Sequence, residues 1–329
     1  MQRFGLAAAI IAAVLGQSLA ASAEPVTLRF GQIPSTVRGV SSVYLAIAQR
    51  KGFLAREDLT LEFVRIPGGT DKMVAALDRG DVHVTQTATP YLINAVLAGS
   101  DAVGIASETQ NPIYSLIAKS EIASIADLRG KLIGLSLPID TISISMRKLL
   151  ALKGLAAADY RVKELVGTPM RFECLRRGEC DAVPLAQPND LIAVGQGYRR
   201  LGISTEAVSA FQFQLLAVKR AWVAQNRDLV VRFVRALANS FRFIRDPTHR
   251  AEVIAAMVAV TGSSEDIARQ ILTLYFEPER GVMPKAAEIN VAGLAQVIAF
   301  MGEGGVIPSP LPPPERFIDL QYLKAAGVE

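Results

Sequence analysis

The feature that most restricts what this chain can become is one stretch of pattern used twice. Ile66 to Pro90, IPGGTDKMVAALDRGDVHVTQTATP, opens on a Gly68-Gly69 turn and then sets Met73, Val74 and Leu77 at the spacing of one buried helical face. The helix is predicted to stop at Gly80. After Asp81 the period becomes two, with Val82 and Val84 inward and His83 and Thr85 outward, and the strand ends in Thr85, Gln86, Thr87 and Thr89. Phe172 to Asn189, FECLRRGECDAVPLAQPN, repeats helix, Gly178 turn, strand and polar end. Each copy is half of an α/β unit, whose ligands sit beyond the carboxyl end of the strand. Two copies predict two similar lobes, each offering a strand end to a shared cleft.

Residues 1–23 read as an export signal. Arg3 supplies the positive start, Leu6 to Leu15 the apolar core, and Ala21-Ser22-Ala23 a cleavage site ahead of Glu24-Pro25. That core is too short and alanine-rich for a membrane span, and no Cys follows the cleavage site to take a lipid. The expected product is a soluble exported monomer, periplasmic in a Gram-negative source. The formal charge of +4 falls to +3 without Arg3 and is scattered, which argues against nucleic-acid binding. With 50% hydrophobic residues in 329, the chain has material for two ordinary cores.

Along the chain, Val26 to Ile33 alternates as a first strand, Val43 to Gln49 reads as a helix closed by Gly52, and Leu59 to Ile66 as a second strand. Tyr91 to Leu97 is predicted helical, Ala102 to Ala106 a strand, and Ile113 to Ala118 an extended crossing between lobes. In the second lobe Leu132 to Leu135 is a strand, Asp140 or Thr141 caps a helix reaching Leu152, and Arg161 to Val166 is a further strand. Phe211 to Val218 returns the chain to the first lobe. From Arg227 the pattern is helical, broken by Pro247, Gly262 and Pro278, and the proline-rich connector after Pro310 leads to a last helix at Phe317 to Ala325. The division expected is therefore 24–112 in lobe one, 113–216 in lobe two, and 217–329 back in lobe one.

These pieces together resemble the substrate-binding proteins of ABC importers, in the group that serves nitrate, sulfonates, taurine and thiamine precursors. The residues that carry the resemblance are Leu45-Ala46-Ile47-Ala48 with Lys51-Gly52-Phe53-Leu54, Pro67-Gly68-Gly69-Thr70, Ala76-Leu77-Asp78-Arg79-Gly80, Ile125 with Asp127-Leu128-Arg129-Gly130-Lys131, and Leu175 to Gly178 with Asp181-Ala182. The resemblance implies an α/β, two-lobed periplasmic-binding fold of type II, with a mixed sheet flanked by helices in each lobe and the ligand cleft between them. It also implies a small-molecule solute, an inner-membrane permease as partner, and no catalysis. The chain departs from the group at His83, where an aspartate is usual, at Asp58, where a glycine is usual, and in the bulky Leu137-Pro138-Ile139-Asp140-Thr141-Ile142 loop, where small residues are usual.

An anion in such a cleft needs backbone N–H groups at helix starts and side-chain donors. Gly69-Thr70 and Asp140 to Ser143 stand at such starts, with Thr141 between. The glycine pair reads equally as a plain tight turn, and Asp140 as a helix cap in preference to a ligand contact. Arg38, after the first strand with Ser35, is the cation placed at the cleft mouth; a solvated surface arginine is the competing reading. Gln86, Thr87 and Thr89 in one lobe and Gln187 and Asn189 in the other occupy equivalent strand ends. Asn111, Tyr114 and Gln212 flank the crossovers, with Ile139, Ile142 and Tyr114 expected to face an apolar body. The solute expected is a small organic anion, a sulfonate or carboxylate.

Enzyme signatures are thin: the two histidines, His83 and His249, belong to no HExxH or Cys-His pattern, so neither a metal nor a cofactor is expected. The rival readings are a ligand-sensing accessory protein without an importer, and an enzyme like the thiamine-pyrimidine synthase on the same fold, which would be cytosolic and carry a cysteine-rich motif absent here. Cys174 and Cys180 are either bridged, as an oxidising compartment allows, or two small buried hydrophobes. Their counterparts in the first repeat, Ala76 and Val82, favour the second option.

Overall fold

The computed structural model describes residues 24–276 and 281–328, so the export segment lies outside the described residues. The first half of the chain folds as β1 (Val26–Gln32), α1 (Val43–Arg50), β2 (Leu59–Arg65), α2 (Met73–Arg79), β3 (Val84–Ala88), α3 (Thr89–Leu97) and β4 (Ala102–Thr109). There follow β5 (Ser115–Ala118), β6 (Leu132–Leu135), α4 (Thr141–Leu152), β7 (Arg161–Glu164), α5 (Thr168–Arg176), β8 (Ala182–Leu185), α6 (Asn189–Gly195) and β9 (Arg199–Ile203). The remainder is β10 (Gln214–Lys219), α7 (Arg220–Gln225), α8 (Arg227–Arg245), α9 (Arg250–Thr261), α10 (Glu265–Phe276), α11 (Val291–Glu303) and α12 (Gln321–Ala325).

Two five-stranded mixed sheets result, ordered β2-β1-β3-β10-β4 and β7-β6-β8-β5-β9. Their topologies correspond strand for strand. In the first, β1 runs parallel to β2 and β3 while β10 runs antiparallel to β3 and β4. In the second, β6 runs parallel to β7 and β8 while β5 runs antiparallel to β8 and β9. The repeated sequence unit is therefore a repeated structural unit, α2–β3 in one sheet and α5–β8 in the other.

The helix stops are as the sequence implies. Gly80 ends α2 at φ 80°, a left-handed conformation that costs glycine no Cβ clash. Asp140 caps α4 by accepting from the Ile142 N–H at 3.0 Å. The alternation read into β3 does not hold, because this strand is central in its sheet and all five of its residues are buried, Thr85 among them. Strand β9 escapes sequence reading because it is an edge strand that begins with exposed Arg199 and Arg200, the kind of charge that protects edges.

The first lobe has one large core, into which α8 sends Phe233, Leu237, Phe241 and Ile244 from one helical face. Phe241 stacks on Tyr44 of α1 with ring centroids 4.9 Å apart. The second lobe has a cluster on each side of its sheet, one around Leu116, Ile133 and Leu149, the other around Ile117, Val183 and Leu185. Cys174 and Cys180 lie in the latter cluster and are joined in a disulfide with Cα atoms 5.3 Å apart. This corrects the preference for two free thiols: the helix end and strand start that Ala76 and Val82 fill by packing are covalently closed in the second repeat.

A bridge that closes so short a loop is worth about 2 kcal/mol by the chain-entropy relation. Thiol titration of unreduced, denatured protein matured in an oxidising compartment should find no free thiol. The Cys174→Ala/Cys180→Ala variant should melt a few degrees lower. Two titratable thiols in the unreduced wild type would remove the bridge.

Candidate functional site

A cavity of about 320 Å³ lies between the carboxyl ends of the parallel strands of both sheets. That volume is near the lower bound for sites that take a small organic molecule. The loop after β1 contributes Ser35, Thr36 and Arg38, the loop after β2 contributes Gly69 and Thr70, and Thr109 closes β4. From the second sheet come Ser136, Leu137 and Asp140 after β6, Val166 to Pro169 after β7, and Gln187 and Asn189 after β8. Ile113 and Tyr114, on one connection between the sheets, and Phe213 and Gln214, on the other, form the wall beside the crossings.

Of the residues singled out in the sequence, Ser35, Arg38, Gly69 and Thr70 thus line the cavity from one side, and Tyr114, Asp140, Gln187 and Asn189 from the other. Ile142 also lines it, and Ile139 does not. Gln86, Thr87, Thr89, Asn111, Thr141, Ser143 and Gln212 are buried elsewhere. The strand ends of the two repeats are not equivalent, because the turn before β10 covers the end of β3. There Thr89 gives its N–H to the Phe213 carbonyl and its hydroxyl to the Gln212 carbonyl. Gln86 still acts at one remove, donating to the hydroxyl of cavity residue Thr36 at 2.7 Å.

Gln212 and Gln214 would share a face in a regular strand, but β10 begins only at Gln214, and of the two Gln214 alone lines the cavity. The Gln212 amide is consumed inside the lobe, donating to Ser107 Oγ at 2.9 Å and accepting from the Asn290 N–H at 2.8 Å. Asn290 caps α11, where a Cβ on Gly293 would come within 2.3 Å of the Phe211 carbonyl, so the helix approaches the crossing closely. Asn111 ties the two crossings together by donating to the Ser209 carbonyl at 3.0 Å. Thr141 bonds the Asp140 carboxylate, and Ser143 is interior to α4. The start of α4 is thus partly served by the chain's own Asp140, which leaves it less available to an outside anion.

Two buried titratable groups, Arg171 in the cavity wall and Glu108 beside lining residue Thr109, carry no obvious sequence mark. Arg171 on α5 is 1% exposed and lines the cavity. Its guanidinium donates to the carbonyls of Pro184 at 2.8 Å and Leu165 at 3.0 Å, and to Thr168 Oγ1 at 3.2 Å, while lying over the Tyr114 ring. The signal available was the repeat itself: aligned through Leu77 and Leu175, Arg171 stands where the first lobe has the buried Met73. Burial pulls the Arg171 pKa below its ordinary value, against the opposing pull of Tyr114 and Asp140. Burial pushes the Tyr114 hydroxyl up to about 12 and raises Asp140, whose hydrogen bonds from Ile142 and Ser136 and whose neighbour Arg171 restrain it.

The second is Glu108 on β4, fully buried, with its carboxyl raised by desolvation to about 8 and only Ser41 tempering the shift. Ser41 itself lines the cavity. Both histidines lie away from the site. His83 stacks on Trp222 at 5.2 Å and accepts from the Arg29 N–H, and His249 stacks on Phe243.

The two halves of the site touch. A Cβ on Gly69 would lie 2.9 Å from Val166 Cγ1, and one on Gly167 would lie 3.1 Å from Ser35 Cβ. Farther out, Lys148 of α4 pairs with Glu303 of α11 at 2.8 Å and sits over the Phe300 ring. Among the described residues no helix is long and apolar enough to cross a membrane.

Residues 41–250 match the family model described as NMT1/THI5 like. A putative thiamine biosynthesis protein of Haemophilus influenzae is 33% identical over 96 residues, which span 28% of this chain and 30% of that relative's length. Among solved structures, the alkanesulfonate-binding protein SsuA of Xanthomonas axonopodis pv. citri, bound to MOPS, superposes with a TM-score of 0.69 at 19% identity, covering 90% of this chain and 99% of that one. The periplasmic nitrate-binding protein NrtA of Synechocystis PCC 6803 superposes with a TM-score of 0.73 at 13% identity, covering 92% and 88%. The fold is therefore the two-lobed α/β architecture of periplasmic binding proteins, as the sequence resemblance implied.

Glu108 gives the site a pH signature. An acid whose pKa is higher folded than unfolded costs nothing at a pH below its unfolded value, and its cost grows as pH rises toward the folded value, here about 8. Glu108→Gln should therefore raise the melting temperature more at pH 8.5 than at pH 5. Equal gains at both values would mean that Glu108 is ionised in the folded state throughout.

Proposed function

The chain belongs to the NMT1/THI5-like family, and on that premise we propose that it is an exported solute-binding protein, which closes on a small organic acid and delivers it to an inner-membrane ABC permease. The observation that carries this reading is the cavity of about 320 Å³ between two lobes, with the Arg171 guanidinium buried in its wall and Arg38 exposed at its edge. Arg38 has no ion-pair partner among the described residues, so its planar fork is free for a carboxylate or sulfonate. Ile33, Ile142, Val166, Ile192 and Phe213 supply apolar wall for the rest of the solute. A bare nitrate ion would leave most of that space unfilled.

The catalytic alternative lacks support at the cavity. The cysteines are bridged within the second lobe and the histidines lie on the first lobe away from the site, so among the described residues no Cys–His or Ser–His pair stands at the cavity. Release and capture would instead use the two connections, 110–114 and 204–213, as a hinge, with the Gly69–Val166, Gly167–Ser35 and Lys148–Glu303 contacts forming as the lobes meet.

A thermal-shift screen of sulfonates, carboxylates, nitrate, pyrimidines and amino acids tests the ligand class. A solute at 100 times its Kd stabilises by about 2.7 kcal/mol, which shifts melting by several degrees. An acid should score, and Arg38→Ala should weaken it about tenfold, or about 1.4 kcal/mol. Selective stabilisation by neutral solutes, with Arg38→Ala silent, would overturn the reading. For closure, Gly69→Ala should wedge the lobes at Val166, so that the ligand-bound radius of gyration rises and affinity falls; an unchanged affinity would argue against closure at that contact.

A further inference from the structure

The two lobes differ in charge at the amino end of their central strands, the end turned away from the cleft. The partners Phe30↔Val84 in the first sheet and Ile133↔Ala182 in the second make Arg29 and His83 the counterparts of Leu132 and Asp181. The antiparallel ladders Ala217↔Thr85 and Ala118↔Ala182, run on toward that end, set Lys219 against His83 as Lys119 stands against Asp181. In the second lobe an acid settles the position: one Asp181 oxygen takes Lys119 Nζ at 2.8 Å and the other takes the Leu132 N–H at 2.9 Å. In the first lobe a histidine replaces that acid and an arginine replaces the leucine, so a cation is added where an acceptor is lost.

His83 does only half of what Asp181 does. Its Nδ1 accepts from the Arg29 N–H at 3.1 Å, so the neutral ring carries its hydrogen on Nε2. Burial and the charge of Arg29 lower the His83 pKa, against the pull of Glu62, and so favour that neutral ring. Nε2 then lies 3.2 Å from Arg29 Nη2, which is also a donor, and Arg29 Nε is buried without a partner. Carbonyls meet part of the demand, Gly80 for Arg29 Nη2 at 2.9 Å and Asp78 for Lys219 Nζ at 3.0 Å. The neighbouring acids are engaged elsewhere: the Asp78 carboxylate with Ser100, Asp81 with Arg79, and Asp101 with the start of α7. Glu62, exposed on β2 opposite Arg29, forms no ion pair among the described residues. Arg29, Gly80, His83, Lys219 and Trp222 line an open cavity of about 350 Å³. Its donors outnumber its acceptors, and donors left unpaired are costly.

We propose that this cavity is a second binding site, for a doubly charged oxyanion such as phosphate or sulfate, held by the Arg29 guanidinium, His83 Nε2–H and Lys219 Nζ where the second lobe supplies its own carboxylate. The planar fork of arginine matches such an anion, and its bonds to the anion are charge-assisted. Two cations beside one neutral donor suit a dianion better than a monocarboxylate. The site stands apart from the cleft, so the organic-acid reading neither supports it nor falls with it.

Trp222 is the one tryptophan of the chain and stacks on His83 with ring planes 4° apart, so its fluorescence reports on this site directly. The mature protein is titrated with inorganic phosphate and with sulfate, against acetate and chloride at matched ionic strength. The expected result is a saturable change with phosphate, sulfate or both, weaker with acetate by about tenfold or more, and absent with chloride. His83→Asp gives the first lobe the carboxylate of the second and should weaken the phosphate response by about tenfold or more, as should Lys219→Gln, which removes a donor. No saturable change in the wild type beyond that of chloride overturns the proposal. So does a response that survives either substitution, or one as strong with acetate as with the dianions. If His83→Asp does not fold, Lys219→Gln and the wild-type titrations decide.

Discussion

Each sheet is held together by a strand that the chain delivers from the far side of a crossing. Strand β4 joins its sheet only through β10, and β9 joins its sheet only through β5. Since β10 follows the whole second lobe in sequence, the first sheet is incomplete until the second lobe has been threaded. The hydrogen-bond ladders of β10 and β5 therefore fix the two crossings side by side, and Asn111 on one crossing bonds Ser209 on the other. That constraint places the carboxyl ends of both sets of parallel strands opposite each other, which is the geometric origin of the cavity.

What fills the cavity wall is an imbalance of charge and polarity that the cores do not share. The cores are apolar and aromatic, as where Phe30 meets Phe63 and Phe233. Around the cavity, by contrast, stand a fully buried arginine and a capping aspartate within reach of each other's fields, and Tyr114 feels both of them and the buried Glu108 as well. Arg171 is satisfied by carbonyls and is rigid as a result, so it offers a fixed charge at little further entropic cost. Asp140 spends its oxygens on α4 and Ser136. Neither oxygen of Glu108, by contrast, has a hydrogen-bond partner of normal geometry, and only Ser41 eases its charge.

Much of this was legible beforehand. The helix-turn-strand repeat, the stop at Gly80, the cap at Asp140 and α4 itself depend on local preferences: glycine at positive φ, aspartate ahead of a helix, apolar residues at helical spacing. The loops that reach the cavity after β1, β2, β6 and β8 were legible as well, because in a parallel α/β unit the carboxyl end of the strand is where ligands sit. Less legible was anything decided by a neighbour distant in sequence. Thr85 reads as an outward residue until β3 takes a central place in its sheet with all of its residues buried, and Thr89 reads as a site residue until the Gln212–Phe213 turn lies across it.

By itself, then, the sequence determined the elements, their duplication and the general position of a cleft, since these follow from the short-range pattern of polar and apolar residues. Only the tertiary structure decided which polar residues face that cleft. Arg171 and Glu108 look like ordinary charged residues of a helix and a strand, and become a cavity-wall group and a buried acid because packing removes their water; Cys174 and Cys180 become a bridge because the second repeat brings a helix end and a strand start within 5.3 Å. Burial and proximity are properties of the assembled lobes, and no local pattern encodes them.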